Sequence, residues 1–330
     1  IFEKLFKSQK ISKNKIYNIA KNLDIGIVLT AHPTEVKRRT LIQKYANLIH
    51  ILEQRHLYKK YPSKIIDFDR QLYSEIAIIW KTDELKRTKP SPLDEARWGL
   101  AVIEDSLWDT IPKVYKRLND IFRKNLKKDL PRDFNPIQFG SWMGGDRDGN
   151  PNVNHKITEE VILLSRWEAA NLYEKEFTNI IQDLSMHECS NEIKKIAGKS
   201  QEPYRVYLRS IRSKLKITQK QIELFLLEGK KLNEKLLVNS ANEIIQPLLT
   251  VYYSLCEAKC KALADGAVLD LIRRAYAFGL NLAKLDIRQE ASRHSNLVGK
   301  IYKTKFKKNY ANLSEKEKIS FLIKSIKSKK

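Results

Sequence analysis

Cysteine is scarce in this chain. Three are present, Cys189, Cys256 and Cys260, too few and too odd in number for a disulfide framework, which fits a reducing compartment. Cys256 and Cys260 stand four apart on a predicted helix with no histidine or further cysteine close by, so buried thiols are expected rather than a zinc site. Long apolar runs are missing as well. None could span a bilayer, and no signal-peptide pattern opens the chain, so a soluble, cytoplasmic protein with no membrane partner is expected. Fixed-period repeats, the mark of a solenoid, are also absent. Acidic residues are in deficit, 39 against 62 lysines and arginines, giving a formal charge of +23. Basic surfaces bind phosphate backbones by releasing counterions, which raises a nucleic-acid role. However, the lysines are spread along the chain with abundant Ile and Asn, a trio that AT-rich codons favour, and no aromatics are interleaved with them as a stacking platform requires. No nucleic-acid partner is expected.

What the sequence does contain is helical periodicity. Ile16, Ile19, Ala20 and Leu23 mark a first helix. Leu41, Ile42, Tyr45, Leu48, Ile49 and Leu52, then Phe68, Leu72, Ile76, Ile79 and Trp80, predict a helical hairpin riding over the first strand. Ser91 before Pro92, with Asp94 following, is the pattern of an N-cap, and Ala96, Leu100, Ile103 and Leu107 continue as a stripe. A long helical region starts at Thr158, and residues 192–201 read as an exposed polar connection. Pro203 opens another helix, Ala241 to Leu255 is well patterned, Gly279 fits a C-terminal cap, and Ser314 with Glu317 makes a capping box.

Three short apolar segments break this pattern, and each hands over to polar residues. Residues 26–31 lead to His32; residues 137–143 lead to Gly144-Gly145-Asp146-Arg147; residues 280–287 lead to Arg288. Each reads as a buried strand running into a loop. Taken singly, each signal is weak. A lone histidine at a strand end is by default a packed residue, Trp142 is by default core, and Asp-Gly-Asn-Pro is ordinary turn chemistry. Strands separated by long helices, with polar C-terminal ends, form the plan of a barrel whose chemistry sits on one rim. The fold class expected from the residues is therefore mainly α with part of a parallel α/β sheet.

The stretch Thr30-Ala31-His32-Pro33-Thr34-Glu35 with Arg38-Arg39 resembles the histidine signature of the phosphoenolpyruvate carboxylase family. Four further segments resemble the same family in the same order: Trp80 to Glu84 with Lys86-Arg87-Thr88; Phe139 to Pro151; Glu202-Pro203-Tyr204-Arg205; and Leu285 to Glu290 with Arg293-His294. The resemblance implies a partial, helix-elaborated (β/α)8 barrel, with residues 1–330 as one partial domain carrying its early strands. It implies a reaction in which bicarbonate attacks the phosphorus of phosphoenolpyruvate. Carboxyphosphate and the pyruvate enolate form, carboxyphosphate breaks to CO2 and phosphate, and the enolate captures the CO2 to give oxaloacetate.

Carried over residue by residue, the resemblance implies His32 as the base and Arg288 as the substrate-site arginine. Imidazole titrates near neutral pH, and guanidinium suits a multiply charged phosphate. Arg147 and the Gly144 and Gly145 backbone are expected to line the same rim, with Trp142 keeping water from the enolate. Arg38, Arg39 and Arg87 are assigned to an effector or subunit contact. Mg2+ or Mn2+ is the implied cofactor, its ligands expected outside these residues, so Asp146, Asp148 and Glu290 are not assigned to it. A homotetramer is expected of the full-length protein, and no turnover of this stretch by itself. The opposing expectation is a regulatory or degenerate helical module that keeps the motifs without the activity. Lys37 inside the histidine motif, Ala291-Ser292, and the basic charge depart from the family pattern.

Overall fold

The structure, a computed structural model, describes residues 11–30, 39–83, 90–148, 150 and 152–328. Helices dominate the described residues. In chain order they are α1 (Lys13–Lys21), α2 (Arg39–Leu57), α3 (Pro62–Lys81), α4 (Pro92–Val102), α5 (Trp108–Leu126), α6 (His155–Asp183), α7 (Asn191–Ala197), α8 (Pro203–Glu228), α9 (Asn242–Glu257), α10 (Leu269–Phe278), α11 (Ala291–Phe306) and α12 (Glu315–Lys327). Their boundaries follow local chemistry. Ser91 and Asp94 form a reciprocal capping box with Pro92 at the first helical position, and Ser314 with Glu317 does the same for α12. Asn154 caps α6 by accepting from the backbone of Lys156 and Ile157, so that helix starts a turn earlier than Thr158 suggested. Gly229 and Gly279, both at positive φ, close α8 and α10.

Two helix boundaries differ from the sequence reading. A π-helical turn, Ile103–Leu107, joins α4 to α5 without a break. Residues 191–197 form α7 rather than an exposed connection, because Ile193, fully buried, anchors an otherwise polar segment against α8.

The core lies among α5, α6, α8, α9 and α10. Tyr173, Phe177, Tyr204, Leu208, Ile244 and Leu248 are 0% exposed. The Glu202 to Arg205 segment belongs to this block: Tyr204 is bonded to Ser254 (2.8 Å), and Arg205 donates to the carbonyls of Ile181 and Gln182 (both 2.8 Å), which ties the start of α8 to the end of α6. A buried arginine acts similarly. Arg274 donates to the Trp108 carbonyl (2.9 Å) and pairs with Asp109 (2.8 Å) and Glu176 (3.0 Å). The three cysteines are free and half-buried.

Three parallel strands, β1 (Ile25–Leu29), β2 (Ile137–Ser141) and β3 (Lys284–Leu285), lie side by side in that order. Ile27 is level with Phe139, and both Leu29 and Leu285 are level with Ser141. The alternation of side chains puts Leu29, Ile137 and Phe139 on the face toward the helices. Phe139 stacks on Phe278 (5.2 Å, 12°), and Phe278 stacks on Trp108 (5.2 Å, 26°), so one column of rings pins the sheet to the helical block.

Three expectations about the sheet and hairpin are corrected. β1 is a strand, but it is bare rather than buried, with Ile25, Ile27 and Val28 at 47, 41 and 47% exposure. β3 spans two residues, because Leu282 adopts a left-handed conformation (φ 55°) that turns the chain before pairing starts. The α2/α3 hairpin packs on itself and not substantially on β1, and α3 buries none of its side chains.

Candidate functional site at the strand ends

The C-terminal ends of β1, β2 and β3 meet through a short backbone lattice. The Trp142 N–H donates to the Leu29 carbonyl (3.2 Å), and the Asp286 N–H donates to the Ser141 carbonyl (2.9 Å). Beyond the strands, the Arg288 N–H donates to the Gly145 carbonyl (3.0 Å), and the Arg147 N–H to the Arg288 carbonyl (3.1 Å), closing a bridge between Asp146 and Arg288. Trp142, Gly144, Gly145, Arg147 and Arg288 therefore share one rim. His32, Arg38 and Arg87 lie outside the described residues, and Arg39 opens the backbone of α2. His32 follows β1 by three residues in sequence.

The glycines are required by close packing. Gly144 has φ +80°, and a Cβ there would come within 2.5 Å of the Val161 side chain on α6. A Cβ on Gly145 would come within 2.4 Å of the Asp286 carbonyl oxygen. The two glycines thus let the loop after β2 lie flat between α6 and the segment that carries Arg288. Gly145's own N–H is bonded to the Trp142 carbonyl (2.9 Å), so its backbone role here is to hold the turn.

Arg147 turns toward α6, where its Nη2 donates to Thr158 Oγ1 (3.1 Å), and Thr158 reaches the Gly144 carbonyl (2.9 Å). Arg288 lies otherwise. Its guanidinium carbon sits 3.6 Å from the centre of the Trp142 ring, and its Nε donates to Asp286 Oδ2 (3.1 Å). Among the described residues, Trp142 Nε1 and Arg147 Nε are buried without a hydrogen-bond partner. Buried polar atoms without a hydrogen bond cost free energy, and two of the six such side-chain atoms among the described residues stand at this rim. Asp286 and Thr158 were given no role from sequence. The signal for Asp286 was available: residues two apart on an extended segment share a face, which places its carboxylate beside Arg288.

A cavity of about 320 Å3 lies between the sheet and helices α4 and α6, lined by Leu29, Ile103, Met143, Val161 and Leu285 among others. Its lining is apolar apart from Lys284 and a few polar groups, so a multiply charged substrate would lack counter-charge there. As for metals, no group of three or more His, Cys, Asp or Glu side chains converges among the described residues. Asp146 is occupied by the Asp148 N–H (3.1 Å) and Glu290 by the Ser292 hydroxyl (2.7 Å). No described helix is long and apolar enough to cross a membrane.

Fold and rim together define a mainly helical protein with a small parallel sheet whose strand ends gather basic and indole groups. The model of the family described as phosphoenolpyruvate carboxylase matches residues 1–330. Proteins named phosphoenolpyruvate carboxylase from Acinetobacter baumannii and Acinetobacter baylyi are each 42% identical over 99% and 100% of the chain, and one from Hahella chejuensis is 41% identical over 100%. The chain spans 37% of the length of each of these relatives. It belongs to the phosphoenolpyruvate carboxylase family.

Proposed function

We propose that the complete polypeptide is a phosphoenolpyruvate carboxylase, joining phosphoenolpyruvate to bicarbonate and releasing oxaloacetate and phosphate as an anaplerotic carbon-fixing step. The observation that supports this most is the adjacency of three strand ends in one parallel sheet, two of them carrying the family's tryptophan–glycine and arginine motifs and the first running on toward its histidine motif. In this reading residues 1–330 form one partial domain of a helix-elaborated (β/α)8 barrel. The bare face of β1 and the small residues Gly26 and Gly140 on that side suit the interior of such a barrel.

His32 is the base that removes the carboxyl proton of carboxyphosphate, a task suited to a group titrating near neutral pH. Arg288 holds the phosphoryl oxygens and stabilises the charge on them as a bicarbonate oxygen bonds to the phosphorus and the bond from phosphorus to the enol oxygen breaks, the enolate leaving. Trp142 screens the enolate from protonation by water, while Arg147 with the Gly144 and Gly145 backbone shapes the rim. Arg38, Arg39 and Arg87 form an effector or subunit contact. Mg2+ or Mn2+ is the cofactor, with its ligands in the remainder of the polypeptide. The active form is a cytoplasmic homotetramer.

The test is oxaloacetate formation by the purified full-length protein with phosphoenolpyruvate, bicarbonate and Mg2+. Turnover is expected, falling by about 10^2–10^4 in His32→Asn, the range for loss of a positioned base. Undiminished turnover in that variant would overturn the assignment of the base, and a parent protein without turnover would overturn the reading.

A further inference from the structure

Arg288 makes one side-chain hydrogen bond among the described residues, and its direction matters. The bond runs from Nε to Asp286 Oδ2 (3.1 Å), while Trp142 covers one face of the guanidinium at 3.6 Å. A guanidinium carries five N–H donors in a rigid planar fork. With Nε engaged, the two N–H groups at the far end of the fork, one from each Nη, form the pair that matches two oxygens of one phosphoryl group. The backbone of the arginine is fixed, since its N–H and carbonyl are both bonded to the loop after β2, so the orientation of its side chain depends on Asp286 and Trp142.

We infer that Asp286 is a positioning residue for the substrate phosphoryl group, acting through Arg288. This rests on the proposed carboxylase reading. Stability gives no other reason for the pair: the side chains are 45% and 51% exposed, and half-exposed ion pairs contribute little to folding. Without the carboxylate, Arg288 is free to rotate on its long stem over the indole, and the fork is no longer pre-set for two oxygens. A carboxylate beside an anion site is also repulsive, so in this inference the gain from orienting Arg288 outweighs that repulsion.

The test is calorimetric binding of phosphoenolpyruvate to the full-length protein with Mg2+ and no bicarbonate, so that inactive variants remain readable. Asp286→Asn is expected to weaken binding about tenfold, equivalent to about 1.4 kcal/mol, with an unchanged melting temperature. Asp286→Glu, which keeps the charge on a longer stem, should recover part of the loss. In an Arg288→Ala background, Asp286→Asn should cost nothing further, because its effect passes through the missing group. Unchanged affinity in Asp286→Asn, or a full additional loss in the Arg288→Ala background, would overturn the inference. Should Arg288→Ala itself bind phosphoenolpyruvate like the parent, the assignment of Arg288 fails instead, and the two failures are distinct.

Discussion

The helical block and the sheet of this molecule are built to different standards of closure. In the block, Tyr173, Phe177, Tyr204, Leu208 and Ile222 are 0% exposed, and even an arginine, Arg274, is enclosed with both of its carboxylate partners supplied. In the sheet, three of the four large apolar residues of β1, Ile25, Ile27 and Val28, are at least 41% exposed, and β3 pairs over two residues only. Chains hide apolar surface where they can, so the two regions answer different questions. The block is held by what this stretch contains. The sheet has one closed side, through the Phe139–Phe278–Trp108 column, and one side left bare among the described residues.

The largest effect that would break this contrast is in the block. Phe177→Ala removes a fully buried ring packed within the main core cluster. It should destabilise by about 3–5 kcal/mol, the usual cost of truncating a buried aromatic, read as a shifted denaturant midpoint. A loss below about 1 kcal/mol, within the range of ordinary surface changes, would mean the block is not the closed unit described.

Val28→Ala sharpens the contrast from the other side, since Val28 is level with Gly140 on the face away from the helices. In this stretch by itself, a side chain 47% exposed on β1 should cost less than about 0.5 kcal/mol. In the full-length protein, where the remaining chain is proposed to cover that face, the same substitution should cost about 1–3 kcal/mol, as for a buried valine that loses two methyl groups. Equal small effects in both would argue that the face stays open.

The same division decided what could be read from sequence. Where an element was fixed by its own residues, reading it was straightforward: the Ser91–Asp94 and Ser314–Glu317 boxes, the glycine cap at Gly279, and the strands at 25–29 and 137–141 all stand near their expected places. Elements fixed by partners were misread. A segment as polar as 191–197 is helical because Ile193 finds a pocket, and the apolar run 280–287 pairs over two residues because Leu282 turns into the core instead. At the rim, motifs identified Trp142, Gly144, Gly145, Arg147 and Arg288. That Thr158 would tether Arg147, and that Asp286 would pair with Arg288, depended on how close the folded chain brings them.

The smallest effect concerns the margin between the two regions, where α5 leads out of the block toward β2. Asp129 accepts from Arg123 Nε (2.7 Å) and Asn119 Nδ2 (3.2 Å), and the hydrogen bond from Arg123 holds its carboxyl below the usual range despite opposing desolvation. A carboxyl whose pKa is lowered by folding binds fewer protons in the folded state than in the unfolded state. Its contribution is therefore present above the unfolded pKa of about 4 and is lost as pH falls through the folded value. Because the pair is half exposed, solvent screening keeps that contribution below about 1 kcal/mol. Thermal melts from pH 6 down to pH 3 should show the parent converging on Asp129→Asn as acid is added, the parent being the more stable at pH 6. A gap that persisted or widened at pH 3 would reverse the sign and show that Asp129 acts by packing, not by its charge.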